Sequence, residues 1–332
     1  MTRALVTGAA GQDGLYLVAY LRRLGYEVVG VVPLGTTGER RRVQDLVGDV
    51  ELVPADVTDT TSLARAIAHA DPHEIYNLAG ISSVRLAWDL PVRAADVNGV
   101  GVVRLLEAVR IAVPQEPERV RVFQASSVQI FGDVEGEWFC ENTPIRPLSP
   151  YGAAKAFAHF AAASYRARYG MFISCGILGN HESPLQDEEF LLRRVTRAVG
   201  AIASGRLDVL TLYNLDGMRD WGYAGDYVRA MHAALQHDQP EDFVIASGNV
   251  HSVADVVEAA FAAVGIEEWR PYVKVTSVDT GQTRGGAKGD ITRARRTLGW
   301  VPEVTFADLV AAMVREEDPA GLVRLPSVGG AR

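Results

Sequence analysis

A short apolar run breaks at three glycines: Ala4-Leu5-Val6-Thr7-Gly8-Ala9-Ala10-Gly11-Gln12-Asp13-Gly14. The run reads as a buried strand over Arg3–Thr7. A helical pattern follows at Leu15–Leu24, and a second strand at Glu27–Val32. Glycine is needed where a chain turns tightly and where a ligand must approach its backbone. A strand, a glycine turn and a helix in that order gather free N–H groups and the positive helix end at one spot, which suits a pyrophosphate. Gly8, Gly11 and Gly14, with Gln12 and Asp13 between them, are therefore candidate dinucleotide contacts. The alternative is a tight turn between strand and helix with no ligand.

The same rhythm continues down the chain. Val50–Val53, Glu74–Leu78, Val120–Ala125 and Phe172–Leu178 are short and rich in Val, Ile, Phe or Tyr. Thr60–His69, Pro91–Ile111 and Ser149–Tyr169 carry helical patterns. This alternation predicts an α/β fold, a doubly wound parallel sheet with helices on both faces. After Leu178 the rhythm changes: helical patterns at Glu188–Ser204, Ala224–Gln236 and Ser252–Val264 are separated by irregular pieces. We divide the chain into a dinucleotide-binding domain, 1–179, and a smaller C-terminal substrate lobe, 180–332, with some later segments returning to the large domain.

Composition narrows the partners. Net charge is −8 and the one basic tract is Arg40-Arg41-Arg42, so nucleic acid and anionic membranes are poor partners. No apolar run reaches the length of a membrane span. The first strand begins almost at Met1, which leaves no room for a signal peptide. Cys140 and Cys175 suit a reducing compartment and cannot build a metal cluster. The expectation is a cytoplasmic protein without a metal site.

Ser149-Pro150-Tyr151-Gly152-Ala153-Ala154-Lys155 is the second informative run. Ser149 suits a helix cap and Pro150 the first turn. Tyr151 and Lys155 then share one helix face. A tyrosine ionises near pH ~10, and a nearby ammonium favours the phenolate. The pair can take a proton from an alcohol while hydride leaves the same carbon. The alternative is an exposed tyrosine and a solvated lysine four positions apart. Upstream, Phe123-Gln124-Ala125-Ser126-Ser127 ends an apolar strand in two hydroxyls. Ser127 is placed to bond the reacting oxygen, Ser126 to serve structure; a plain turn residue is the alternative.

Together, the glycine turn, the serine pair and Tyr-x-x-x-Lys resemble the extended short-chain dehydrogenase/reductases. Gly11-Gln12-Asp13-Gly14 with Tyr16-Leu17, Phe123-Gln124-Ala125-Ser126, Asn180-His181-Glu182-Ser183-Pro184 and Arg219-Asp220-Trp221-Gly222 resemble, more narrowly, the GDP-mannose 4,6-dehydratase family, from Ala4 to about Val314. The resemblance implies a Rossmann-type sheet, an NAD(P) cofactor and a nucleotide-sugar substrate, with GDP favoured. It also implies a homodimer or homotetramer. Asp56-Val57 then match the family's adenine-edge contact, and Leu78-Ala79 the turn that passes the nicotinamide. Asn180 and Arg219 match contacts to the substrate diphosphate, and Arg194 stands where the family has a lysine. Arg284 matches an arginine of a nucleotide-holding run that is shortened here. Arg85, just past the nicotinamide turn, either faces the sugar or is a surface residue.

The departures matter as much. Family members carry a glutamate two residues after the strand-end hydroxyl, the base that takes the C5 proton; Gln129 stands there. A neutral amide cannot accept that proton. The second strand lacks both the terminal acid of NAD sites and the family's arginine pair. Arg42, with Arg40 and Arg41, either reaches a 2′-phosphate or belongs to a solvated loop. Tyr213 replaces a family glycine and would crowd the base or ribose. Three readings stand: redox-neutral epimerisation or oxidoreduction of a nucleotide-sugar, 4,6-dehydration with a relocated base such as Glu188 or Glu189, and ligand binding without catalysis.

Overall fold

The computed structural model describes residues 1–134, 138–276 and 286–323. Its strands are β1 (Arg3–Thr7), β2 (Glu27–Val32), β3 (Glu51–Pro54), β4 (Glu74–Asn77), β5 (Arg121–Ser127), β6 (Trp138–Phe139), β7 (Ile173–Leu178), β8 (Asn180–Glu182), β9 (Leu210–Leu212), β10 (Met218–Tyr223), β11 (Phe243–Ile245), β12 (Val250–Ser252), β13 (Val273–Val275) and β14 (Lys288–Gly289). Its helices are α1 (Gln12–Arg23), α2 (Thr37–Val47), α3 (Thr60–Ala70), α4 (Val84–Asp89), α5 (Pro91–Ala94), α6 (Gly101–Ala112), α7 (Pro150–Tyr169), α8 (Leu191–Ala203), α9 (Ala224–Gln236), α10 (Val253–Ala262), α11 (Thr292–Leu298) and α12 (Phe306–Arg315).

Seven strands form one sheet in the order β11-β7-β5-β4-β1-β2-β3, and every neighbouring pair is parallel. Both faces are covered, which is why the strands read as continuous apolar runs. Ala4, Val6, Tyr76, Phe123 and Ile177 face one core with residues of α1 and α9. Leu5, Ile75, Val122 and Ile173 face the other with α3, α6 and α7. The strand order reverses at β1 and β4, so the crevice for a ligand opens at the carboxyl ends of these strands. Beyond β7, strands β8, β10 and β12 form a separate three-stranded sheet. β11 returns to the edge of the main sheet beside β7. Among the described residues no helix is long and apolar enough to cross a membrane.

Three local readings change. The first helix begins at Gln12, not Leu15, so Gly14 lies inside it. Arg40–Arg42 lie on helix α2 rather than in a loop. Pro91–Ile111 is not one regular helix: α5 passes into α6 through a π-helical segment, Ala95–Val100. π-turns commonly mark functional sites, and this one holds Asn98. The buried Asn98 amide accepts from Ile81 N–H at 2.8 Å and donates to the Ile81 carbonyl at 2.9 Å. It fixes the loop that follows β4.

Candidate active site

The glycine turn is shaped by backbone contact. Gly8 has φ of +69°, and a Cβ on it would meet Ala79 N at 2.9 Å. A Cβ on Gly14 would lie 2.2 Å from the Gly8 carbonyl oxygen. Helix α1 has no side-chain cap, and the N–H groups of Gln12, Asp13 and Gly14 have no partner among the described residues. A turn with no side chains in the way, ending in unpaired N–H groups, fits the diphosphate of a dinucleotide. The side chains of Gln12 and Asp13 turn instead to β8. Gln12 Nε2 donates to the His181 carbonyl at 3.2 Å, Ser183 Oγ donates to Gln12 Oε1 at 2.7 Å, and Asp13 Oδ2 lies 2.8 Å from His181 Nε2.

A row of polar side chains runs from this turn to Lys155. Thr7 Oγ1 accepts from Leu78 and Ala79 N–H, each at 3.1 Å, and donates to Asn77 Oδ1 at 2.7 Å. Asn77 Nδ2 donates to Gln124 Oε1 at 2.7 Å, and Gln124 Nε2 to the Ala125 carbonyl at 2.8 Å. Lys155 Nζ donates to that same carbonyl at 2.9 Å.

Helix α7 starts as its sequence dictates: Ser149 Oγ accepts from Gly152 N–H at 3.0 Å, and Pro150 occupies the first turn. Tyr151 and Lys155 are both buried. Ile81, Val84, Ala87 and Ala94 pack around the tyrosine ring. Lys155 Nζ is 5.8 Å from the ring centroid. Burial pushes the Lys155 pKa down to about 8, against the pull of Asp13. Burial also raises the Tyr151 phenol, with Ser127 pulling it back and Asp13 adding to the rise. The lowering expected from the Tyr-x-x-x-Lys spacing is thus reversed, because desolvation outweighs a lysine whose proton is given to a carbonyl. Ser127 ends β5 and accepts from Gln129 N–H at 3.2 Å. Gln129 follows in a 3₁₀ turn, and its carbonyl sits where a Cβ on Gly152 would be, at 2.5 Å.

The remaining expected residues separate. Arg219 is half-buried on β10, donates to the Met218 carbonyl at 2.7 Å, and has no ion pair among the described residues; burial lowers its pKa. Such a cation lacks the anion that would offset its desolvation. Asn180 Nδ2 donates to the Asp220 carbonyl at 3.3 Å, holding β8 to β10. Arg194 is exposed on α8, also without an ion pair among the described residues. Arg42 donates to the Leu185 carbonyl at 2.9 Å and Arg40 to the Leu52 carbonyl at 3.1 Å, which leaves Arg41 as the exposed member of the tract. Asp56 accepts from Thr58 N–H at 2.8 Å, and that bond first among several lowers its pKa. The Val57 carbonyl packs over Gly101. Arg85 is exposed and pairs with Asp89 at 3.6 Å and Glu189 at 3.7 Å. Glu189 also accepts from Ser83 Oγ at 3.1 Å, beside the helix that covers Tyr151, whereas Glu188 pairs with Arg197 at 3.2 Å on the surface. Arg284 lies outside the described residues.

A parallel sheet in this order, with a glycine turn after its first strand and Tyr-x-x-x-Lys on the helix after β5, is that of the extended short-chain dehydrogenase/reductases. The family model described as GDP-mannose 4,6 dehydratase matches residues 5–313. The human GDP-mannose 4,6 dehydratase is 39% identical over 95% of this chain and 91% of its own length. GDP-mannose 4,6 dehydratase 2 of Arabidopsis thaliana is 40% identical over 95% and 86%. Among solved structures, DesIV, the dTDP-glucose 4,6-dehydratase of Streptomyces venezuelae with NAD and TYD bound, matches at a TM-score of 0.82 and 26% identity, covering 95% of this chain and 96% of that one. The UDP-glucose 4-epimerase of Thermus thermophilus in complex with NAD matches at 0.81 and 28%, covering 94% and 98%. The chain belongs to the GDP-mannose 4,6-dehydratase family, among the nucleotide-sugar epimerases and dehydratases.

Proposed function

We propose that this chain is a cytoplasmic, NAD(P)-dependent enzyme that oxidises a hydroxyl of a nucleotide-linked sugar, a GDP-hexose first, and returns the hydride without expelling water. One observation carries the reading: Tyr151, Lys155 and Ser127 are all present, but the residue two positions after Ser127 is the amide Gln129. When bound, the nicotinamide supplies hydride acceptance and return. Ser127 Oγ orients the sugar hydroxyl, Tyr151 Oη takes its proton, and Lys155 Nζ stabilises the phenolate so formed. Gln129 can hydrogen-bond a sugar hydroxyl but cannot hold a proton taken from carbon. Return of hydride to the opposite face of the carbonyl yields the epimer. Arg219 and Arg194 are the cations for the substrate diphosphate, and Asn180, on the strand paired with β10, adds a polar contact. GDP is favoured because the human and Arabidopsis relatives carry that nucleotide in their names.

A second reading is 4,6-dehydration with a relocated base. The identity of 39% across 95% of the chain favours it, and Glu189, tied to Ser83 beside Tyr151's covering helix, is the carboxylate to examine. Gln129→Glu separates the two. If the missing carboxylate alone blocks dehydration, the variant releases a product one water lighter from GDP-mannose while the wild type does not. Water loss by both supports the relocated base, and water loss by neither counts against the carboxylate as the deciding group.

The surface fits a second copy of the chain as partner. Ala153, Phe157, Phe160, Ser164 and Ala167 form an uncharged outward stripe along α7, with Phe157 and Phe160 50% and 56% exposed. Exposed aromatics grouped on one helix face mark an association surface.

A further inference from the structure

We propose that Asp13 and His181 form a charge-cancelling clasp that makes the first turn of α1 able to accept a diphosphate; this rests on the cofactor reading above. Asp13 is the second residue of α1. A carboxylate there suits the helix dipole, yet it stands beside the N–H groups an anionic ligand must reach. Left unpaired, it would repel that ligand in a partly buried, weakly screened position. It is not left unpaired. Its Oδ2 lies 2.8 Å from His181 Nε2, and its Oδ1 accepts from Gln12 Nε2 at 3.2 Å.

The other ring nitrogen settles the charge of the histidine. His181 Nδ1 lies 2.8 Å from the Gly179 carbonyl oxygen, an acceptor that carries no proton. With acceptors on both nitrogens, the ring needs a proton on each and is an imidazolium. It stacks on Tyr227 with centroids 4.5 Å apart and planes 26° from parallel, a face that attracts a cation. The other titratable groups facing the pair are Glu182 on the same strand, Lys155 and Tyr151 from α7, and Tyr227 from α9. The pair as a whole carries no net charge, and it joins the turn for one ligand to β8, one residue from Asn180.

The test is a fluorescence titration of the full chain with NADPH and with NADH, for the wild type, His181→Gln, Asp13→Asn and the double variant. Loss of the histidine leaves the carboxylate bare, so His181→Gln should weaken binding by about tenfold or more. Asp13→Asn removes the carboxylate that the histidine neutralises, so adding it to His181→Gln should restore most of the binding that His181→Gln loses. A double variant as weak as His181→Gln would overturn the proposal, because a mechanical tie without charge cancellation gives that result. Binding of neither dinucleotide by the wild type would sink the cofactor reading itself, a distinct outcome. If His181→Gln does not fold, nitrogen NMR of the wild-type ring decides: two protonated nitrogens at neutral pH agree with the clasp, and one contradicts it.

Discussion

Lys155 and Tyr151 lie four positions apart, so their shared helix face follows from spacing alone. Their proton affinities do not. Burial lowers the lysine to about 8 and raises the tyrosine, since each loses solvent around its charged form. The residues that exclude that solvent, Ile81, Val84, Ala87 and Ala94, come from a loop and two helices more than fifty positions upstream. Asp13 and His181 make the same point. They are 168 positions apart, and nothing in either local sequence announces the pair. Their partnership has a measurable consequence. Burial works against the His181 cation, but Asp13, with the Gly179 carbonyl and Glu182, outweighs it and raises the pKa from 6.5 to about 9. The folded state then holds a proton that the unfolded chain has released, so stability falls as pH rises through that interval. Glu182, raised by burial from 4.5 to about 7, adds a loss at lower pH, and Lys155, lowered from 10.5 to about 8, adds a gain at higher pH. Between pH 7 and 8 the folded His181 keeps a proton that the unfolded imidazole has largely released, while the end of the Glu182 loss and the onset of the Lys155 gain oppose each other. Urea midpoints should therefore fall across that interval for the wild type and stay flat for His181→Gln. Parallel slopes in both proteins would count against a charged His181.

At the scale of elements, β1 to β5 and β7 were legible as short apolar runs of a sheet covered on both faces. Helix α2 was not: it buries Val43, Leu46 and Val47, and its other positions, Arg40–Arg42 among them, carry no apolar period. The π-segment at Ala95–Val100 was not legible either, because an extra residue per turn leaves the apolar pattern nearly intact while it turns Asn98 onto Ile81. β8 and β12 have three residues each, too few for alternation to show. The glycine turn was legible in position and its reason is steric. Gly14→Ala would press a methyl to 2.2 Å from the Gly8 oxygen and 2.7 Å from Ala9 Cα, both backbone atoms. We expect a loss of stability above about 3 kcal/mol in urea unfolding. Gly38→Ala on α2 meets nothing within 4 Å and has an ordinary helical backbone, so it should stabilise by up to about 1 kcal/mol. Equal effects at the two sites would show that crowding at the turn does not govern it.

Across the whole molecule, the sheet carries the glycine turn and the Thr7–Asn77–Gln124 row on the neighbouring strands β1, β4 and β5, with Lys155 on the helix beside them. Residues beyond β7 bring Asn180, Arg194 and Arg219. The family resemblance names these last three; Asn180 and Arg219 lie on the paired strands β8 and β10, and Arg194 on α8. In the proposed reading, a second copy of the chain docks on the outer face of α7. Phe157→Glu with Phe160→Glu should convert a dimer to a monomer in light scattering, at a folding cost near ~0.5 kcal/mol or less, because both rings are already exposed. An unchanged mass would place the interface elsewhere.

The central claim concerns water. In the proposed reading, Tyr151, Lys155 and Ser127 supply alcohol oxidation, and Gln129 withholds the base that elimination needs. Mass spectrometry of the nucleotide-sugar recovered after incubating the wild-type chain with GDP-mannose and NADP tests this directly. The account predicts an isomer of unchanged mass or a product altered by hydrogens alone, and a product lighter by one water would contradict it.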